Sequence, residues 1–231
     1  MQFYIVLVES RLNGLIAIPK SLYNKHFNVH NMKKLTDARI AEIARENGIH
    51  PAALLAVKLV ESGIKSGFLG SGKPQILFEG HMFYKYLKAN VKSLDINKLC
   101  AQYPNIVYPK WDKSKYLGGE KEWTRLEQAR QINVKYANYS ASWGMFQVMG
   151  FNYKSCGCES ISEFVEKMSE SQEQQLRLTL NFFKHSNLIV PLQKRQWATF
   201  AKGYNGPSFA KNRYHTKLQA AYSNYIKSFP D

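Results

Sequence analysis

A glutamate stands where an apolar helix runs out. The stretch Ala52-Ala53-Leu54-Leu55-Ala56-Val57-Lys58-Leu59-Val60 is apolar on nearly every side and stops at Glu61-Ser62-Gly63. Such a stretch reads as a central buried helix, opened by His50-Pro51 with the proline in the first turn that tolerates it. A carboxyl at its end is pushed toward the protonated form twice, by burial and by the negative end of the helix dipole. A carboxylic acid still protonated near neutral pH can protonate a leaving oxygen, as cleavage of a glycosidic bond requires. On position alone, an acidic C-cap facing solvent is the plainer reading.

The elements around Glu61 are mostly helical. Thr36 or Asp37 caps a helix with Ile40, Ile43 and Ala44 on one face, closed by Asn47-Gly48. After Glu61, Gly63, Gly67, Gly70 and Gly72 lead into Gln75-Ile76-Leu77-Phe78, where a small hairpin is expected. An aromatic-rich helix through Phe83, Tyr84 and Tyr86 follows, then another over Leu94 to Ala101. The Pro- and Tyr-rich piece from Pro104 to Gly119 reads as an ordered loop. Helical spacing returns over Glu120 to Tyr136. Ser160-Ile161-Ser162-Glu163 is a capping box. A long helix from Ser169 and two more, Leu192 to Lys202 and Ser208 to Ile226, complete the pattern. The fold class expected is mainly α, with one small β-hairpin beside the cleft.

The first 31 residues read differently, with a short strand in Phe3 to Val8 and then an irregular stretch holding Gly14 and Pro19. Met32-Lys33-Lys34-Leu35 could itself be a translation start. The expected organisation is an extension over 1–31 and one domain over 32–231.

Composition narrows the partners. Lys plus Arg total 32 against 17 Asp plus Glu, so the net charge is +15, which implies a polyanionic partner. No zinc-finger, RNP or basic-zipper pattern is present, so nucleic acid is the weakest candidate beside an anionic membrane or a bacterial envelope. Aromatics make up 13% of the chain, which suits sugar stacking but suits an ordinary core better. Cys100, Cys156 and Cys158 are odd in number and do not form a disulfide framework. Cys156 and Cys158 could begin a metal site, but no second Cys or His pair lies at ligand spacing; neither metal nor cofactor is expected. The apolar run Phe3–Val8 is too short for a signal peptide or a membrane span.

Several blocks carry a resemblance. Glu61-Ser62, then Gly144-Met145-Phe146-Gln147, then Tyr204-Asn205-Gly206 occur in an order similar to the lysozyme-like superfamily, with its goose-type lysozymes and lytic transglycosylases. More closely, four blocks resemble the N-acetylmuramidase family of phage endolysins. They are Val60-Glu61-Ser62-Gly63, Ile76-Leu77-Phe78-Glu79-Gly80-His81, Ser142 through Tyr153, and Tyr204-Asn205-Gly206-Pro207. The likeness runs from about Ile40 to about Tyr222, and its most specific part is the Ser142–Tyr153 block.

The resemblance implies a lysozyme-like domain with Glu61 as catalytic acid. Ser142, Gly144, Gln147, Tyr204 and Asn205 would line the cleft, with Gly144 letting backbone approach the sugar. Capping and inter-helix bonding is the alternative for Gln147 and Asn205. Glu79 is the natural second carboxylate, holding a water or braced structurally, with His81 as its support. The family usually places an Arg between that Glu and His, where this chain has Gly80. The substrate implied is bacterial peptidoglycan, cut by a monomer made in the host cytoplasm without a signal peptide and released by a hole-forming partner. Lytic transglycosylation is the nearest rival; a non-catalytic cationic wall or membrane binder is another. From Lys202 onward the chain has five Lys or Arg against Asp231 alone, on a helix with Tyr214, Leu218, Tyr222 and Ile226, so anionic lipid contact is conceivable there. An ordinary packed terminal helix is preferred.

Overall fold

The computed structural model describes residues 5–9, 15–19, 35–63 and 67–229. The chain forms two compact units, Met1–Lys34 and Leu35–Asp231. In the first, β1 (Ile5–Glu9) pairs antiparallel with β2 (Leu15–Pro19), Ile5 opposite Pro19 and Glu9 opposite Leu15. The expected strand is there, but the segment after Gly14, read as irregular, supplies its partner. The candidate start at Met32 lies outside the described residues.

The second unit is mainly helical. Its first helix, α1 (Asp37–Glu46), is capped by Thr36, whose hydroxyl accepts from the Arg39 amide at 3.1 Å. It is followed by α2 (Pro51–Ser62), with His50 as its cap and Pro51 in the first turn. Residues 52 through 57 of α2 are fully buried, because α1 and α11 (Tyr214–Tyr225) pack along it. Each fully buried leucine there contributes about 1.5–3 kcal/mol of burial, so α2 is a rigid post for whatever its last turn carries. Leu218 of α11 is buried and Tyr222 packs edge-on against His50 and tilted against Trp197, so the apolar face of this terminal helix is occupied by packing.

The sheet is not the local hairpin expected from the glycine-rich segment. Phe68 and Pro74 form only an isolated bridge there. The strand β3 (Ile76–Phe78) instead pairs antiparallel with β4 (Ala141–Trp143), which pairs with β5 (Val148–Met149), in the order β3-β4-β5. The central strand β4 is buried at all three positions, so a partner distant in sequence covers more apolar surface than a local one could.

Between β3 and β4 lie α3 (Gly80–Asn90), α4 (Ile96–Gln102), α5 (Glu120–Ile132) and α6 (Val134–Tyr139). The single helix expected over Glu120–Tyr136 is two, because Asn133 takes extended geometry and caps α6 through the Tyr136 amide at 2.9 Å. The remaining helices are α7 (Ile161–Glu170), α8 (Gln172–His185), α9 (Ile189–Gln193), α10 (Trp197–Asn205) and α11. Half of the expected capping box forms: Ser160 accepts from the Glu163 amide at 3.1 Å, while the Glu163 carboxylate accepts from the Glu159 amide at 2.7 Å and not from that of Ser160. The helix expected over Leu192–Lys202 divides between α9 and α10 around Arg195, at φ +57°. The last helix begins only at Tyr214, because Arg213 at φ +56° breaks it from the 3-10 turn Pro207–Phe209. Phe78, Phe83, Trp143, Phe146, Phe164, Phe183 and Phe200 are fully buried and serve the core.

Candidate active site

The last turn of α2 delivers Glu61 to the side of a cleft of about 420 Å³. Its walls are Gly63 beyond the helix end, Gln75, Ile76 and Leu77 along β3, the pair Gly118-Gly119, and Gly144 with Gln147 from the β4–β5 turn. The Glu61 side chain opens onto this cleft while protein surrounds most of its carboxyl. Burial pushes its pKa up to about 7; a hydrogen bond from Asn205 and the charge of Lys217 pull the other way. Asn205 Nδ2 donates to Glu61 Oε1 at 2.9 Å. One neutral donor does not replace the hydration that an ionised carboxylate would lose, so burial wins.

The β4–β5 turn is held from below. Gly144 sits at φ +74°, and a Cβ there would lie 2.8 Å from the Cδ of Gln175. Gln175, fully buried in α8, accepts from the Met145 amide at 2.8 Å and donates to the carbonyls of Gly67 (3.1 Å) and Met168 (2.9 Å). Glycine at 144 thus permits the turn to lie on this amide. Gln147, itself at φ +52°, donates to the Gly144 carbonyl at 2.8 Å and accepts from the Ser142 hydroxyl at 2.9 Å. Tyr204 packs against Phe183 and Phe200 and its hydroxyl donates to the Phe146 carbonyl, so it anchors the turn. Burial, with the neighbouring Glu61 charge, keeps that hydroxyl protonated far above the ordinary range.

Glu61, Gly144 and Gln147 therefore share the cleft. Asn205 reaches it through Glu61, Ser142 through Gln147, and Tyr204 through Phe146. Glu79 and His81 form a separate group outside the cleft lining. Glu79 precedes α3, and its Oε2 accepts from the Tyr116 hydroxyl at 2.5 Å and lies 3.3 Å from His81 Nδ1. The departure at Gly80 has a steric cause: a Cβ there would sit 2.3 Å from Tyr108 Cε1 and 2.5 Å from the Ile106 carbonyl oxygen. An arginine cannot stand at this position while Tyr108 occupies that space.

Sequence reasoning missed the residues that hold the far wall. Glu122 is fully buried and takes four donors: the Leu117 and Gly118 amides at 2.7 and 3.0 Å, the Phe78 amide at 3.0 Å and Arg125 Nη1 at 2.7 Å. Arg125 also donates to the carbonyls of Phe78 (2.9 Å) and Asn105 (2.9 Å). The pair clamps the 104–119 segment to β3 and so sets the position of Gly118-Gly119. Its only trace in the sequence is an i,i+3 Glu–Arg spacing, which surface helices share. Gln175 was hidden for a related reason, since apolar periodicity does not register a buried amide.

A helical domain that presents a carboxyl with a raised pKa to a cleft beside a small sheet has the make-up of a glycoside hydrolase. The family model of N-acetylmuramidases matches residues 50–226, and the chain belongs to that family. Membership makes it a peptidoglycan-directed glycosidase. Among solved structures, the crystal structure of a Burkholderia AP3 phage endolysin is similar, at 34% identity and a TM-score of 0.73 over 91% of this chain and 78% of that one. No curated protein matches the chain. Among the described residues, no helix is long and apolar enough to cross a membrane.

Proposed function

We propose that the protein is an endolysin that cuts the β-1,4 bond between N-acetylmuramic acid and N-acetylglucosamine, with Glu61 as the general acid. The observation that carries this reading is the Glu61 carboxyl itself: buried, open to the cleft, hydrogen-bonded once and raised to about 7. With Oε1 engaged by Asn205, Oε2 is left to carry the proton to the glycosidic oxygen as the bond breaks. The proton goes to the leaving sugar's oxygen, positive charge develops at the anomeric carbon and ring oxygen of the sugar that remains, and the ionised Glu61 left behind stabilises it. The Gly119 amide and the side-chain oxygen of Gln147 are the groups that would meet the N-acetyl and hydroxyl groups of the glycan. Made in the host cytoplasm, the enzyme would reach the wall through a hole-forming partner, with its +15 charge favouring encounter with the anionic envelope.

Glu79 is the proposed second carboxylate, acting through a water or by bracing the site. Its bond to Tyr116, and its place outside the cleft lining, support the bracing role and give the transglycosylase reading its one specific argument. Without a carboxylate to activate water, the muramyl 6-hydroxyl becomes the competing nucleophile. Mass spectrometry of digested peptidoglycan decides between them. Reducing muramic-acid ends are expected; anhydro-muramic ends would establish transglycosylation, and intact walls would leave only the binding-protein reading.

A further inference from the structure

Trp111 is the most exposed large apolar side chain among the described residues, at 61%, and Leu117 on the same segment follows at 56%. The other tryptophans are engaged: Trp123 and Trp143 are buried, and Trp197 is half-buried against Tyr222. A lone exposed apolar residue is ordinary, so the placement of this one has to carry the argument. Its ring is fixed. Trp111 meets Tyr116 edge-on, with the ring centroids 6.3 Å apart at 72°. Between the two, Asp112 closes a turn by accepting from the Ser114 amide at 2.9 Å and its hydroxyl at 2.7 Å. Lys115 Nζ ties the turn back to Asn105 Oδ1 at 3.2 Å.

Tyr116 stands where two walls of the Glu61 cleft lead. Leu77 lines the cleft on β3, and Glu79, two residues further on, accepts from the Tyr116 hydroxyl. Gly118 lines it on the other wall, two residues after Tyr116 itself. Two residues span at most about 7 Å, so both walls run to Tyr116 and, across its ring, to Trp111. The exposed lysines 110 and 113 flank the indole. Asp112, the one acid of the 104–119 segment, is committed to its own turn and held below the usual carboxylate range by its bonds to Ser114. The surroundings of the ring are therefore net positive.

We propose that Trp111 is a sugar-stacking platform that continues the cleft beyond Leu77 and Gly118 and takes a ring of the same glycan strand, away from the bond that is cut. A β-1,4-linked sugar has a face of C–H groups that packs on an aromatic face, while its rim of hydroxyls stays in water, which suits an indole held at the surface. The two lysines beside it favour a strand that carries carboxylates on its lactyl groups and stem peptides over a neutral polysaccharide. Clamping of the 104–119 segment by Glu122 and Arg125 keeps the platform in register with the cleft, so little ordering is left to be done on binding. The identity of the strand rests on the glycosidase reading; the platform does not depend on Glu61 being the acid.

Binding and turnover test it separately. In the full chain carrying Glu61→Gln, so that cleavage does not enter, calorimetry follows the binding of uncross-linked peptidoglycan glycan strands. Adding Trp111→Ala is expected to weaken binding about three- to tenfold, and Trp111→Tyr to keep most of it because a stacking face remains. With Glu61 intact, Trp111→Ala is expected to raise KM on the same strands by a similar factor and leave kcat unchanged. Strand binding that is the same in Trp111→Ala overturns the platform. A fall in kcat at unchanged KM and unchanged binding makes Trp111 a prop of the cleft and overturns it equally. Trp111-dependent binding to phosphatidylglycerol vesicles, with none to strands, assigns the ring to a membrane and overturns the glycan as occupant. Strands that bind through Trp111 to a wild-type protein unable to cut them would uphold the platform while the glycosidase mechanism fails, so the two readings fall separately.

Discussion

Glu61 closes α2 with one amide donor on its carboxyl, while Glu122, in the first turn of α5, accepts from three backbone amides and a guanidinium. Both side chains leave water, yet only one is repaid in full. At Glu122 the lost hydration is replaced by fixed donors and by the positive end of its helix, which suits a side chain that locks two segments together. At Glu61 the replacement is incomplete and the helix end is the negative one, so the group holds its proton to about 7. The same residue type is thus a clamp in one wall of the cleft and the proposed proton donor in the other, and the number of partners makes the difference.

The largest effect expected from breaking this contrast is on activity. Glu61→Gln should lower wall cleavage by about a thousandfold or more with the fold retained, since an amide cannot supply the proton. Turbidity loss of purified walls measures it, and a rate near wild type would remove Glu61 from the mechanism.

Stability should move in opposite directions at the two sites. Glu122→Gln leaves Arg125 buried with a neutral partner and should destabilise the domain by about 3–5 kcal/mol. For Glu61 the folded pKa lies above the unfolded one, so the native state binds more protons between about 4.5 and 7. Stability therefore falls as pH rises through that window, by about 3 kcal/mol once the group is ionised. Glu61→Gln should recover this amount at pH 8 and little at pH 4. Denaturant midpoints at both pH values check the sign; a loss at pH 8 would show Glu61 to be a structural carboxylate like Glu122.

The contrast also explains what was legible beforehand. Helix α2, its cap at His50-Pro51 and Glu61 at its end were readable, because apolar runs and caps are local. The Ser142–Tyr153 block and Asn205 came through the resemblance, and the structure brings Gly144, Gln147 and Asn205 to Glu61. The β3–β4 pairing was not readable, since strands 76–78 and 141–143 are joined only by a long-range register. Nor were Glu122, Arg125, Tyr116 and Gln175, whose polar side chains look like surface residues until the segments they hold are folded against them.

Smaller effects sharpen the picture at the edges of the site. Tyr116→Phe and Glu79→Gln should each lower the rate by about tenfold or less if Glu79 braces the 104–119 segment. A loss at Glu79→Gln equal to that of Glu61→Gln would promote it to a catalytic partner. The smallest effect concerns encounter. Raising salt from about 0.02 to 0.3 M shortens the Debye length from roughly 20 Å to under 10 Å, so whole-wall lysis should slow while cleavage of a small uncharged glycan barely changes. Lysis that is flat across that range would detach the +15 charge from wall binding.

The protonation state of Glu61 is open to direct observation. Carbon-13 NMR of protein labelled at glutamate side-chain carboxyls, assigned by comparison with Glu61→Gln, follows this group through the pH range. A midpoint near 7, moving higher in Asn205→Ala as the donor that favours the ionised form is lost, is the result expected of a proton-donating acid. A midpoint close to 4.5 that ignores Asn205 would contradict it, leaving Glu61 an ordinary carboxylate at the end of a helix.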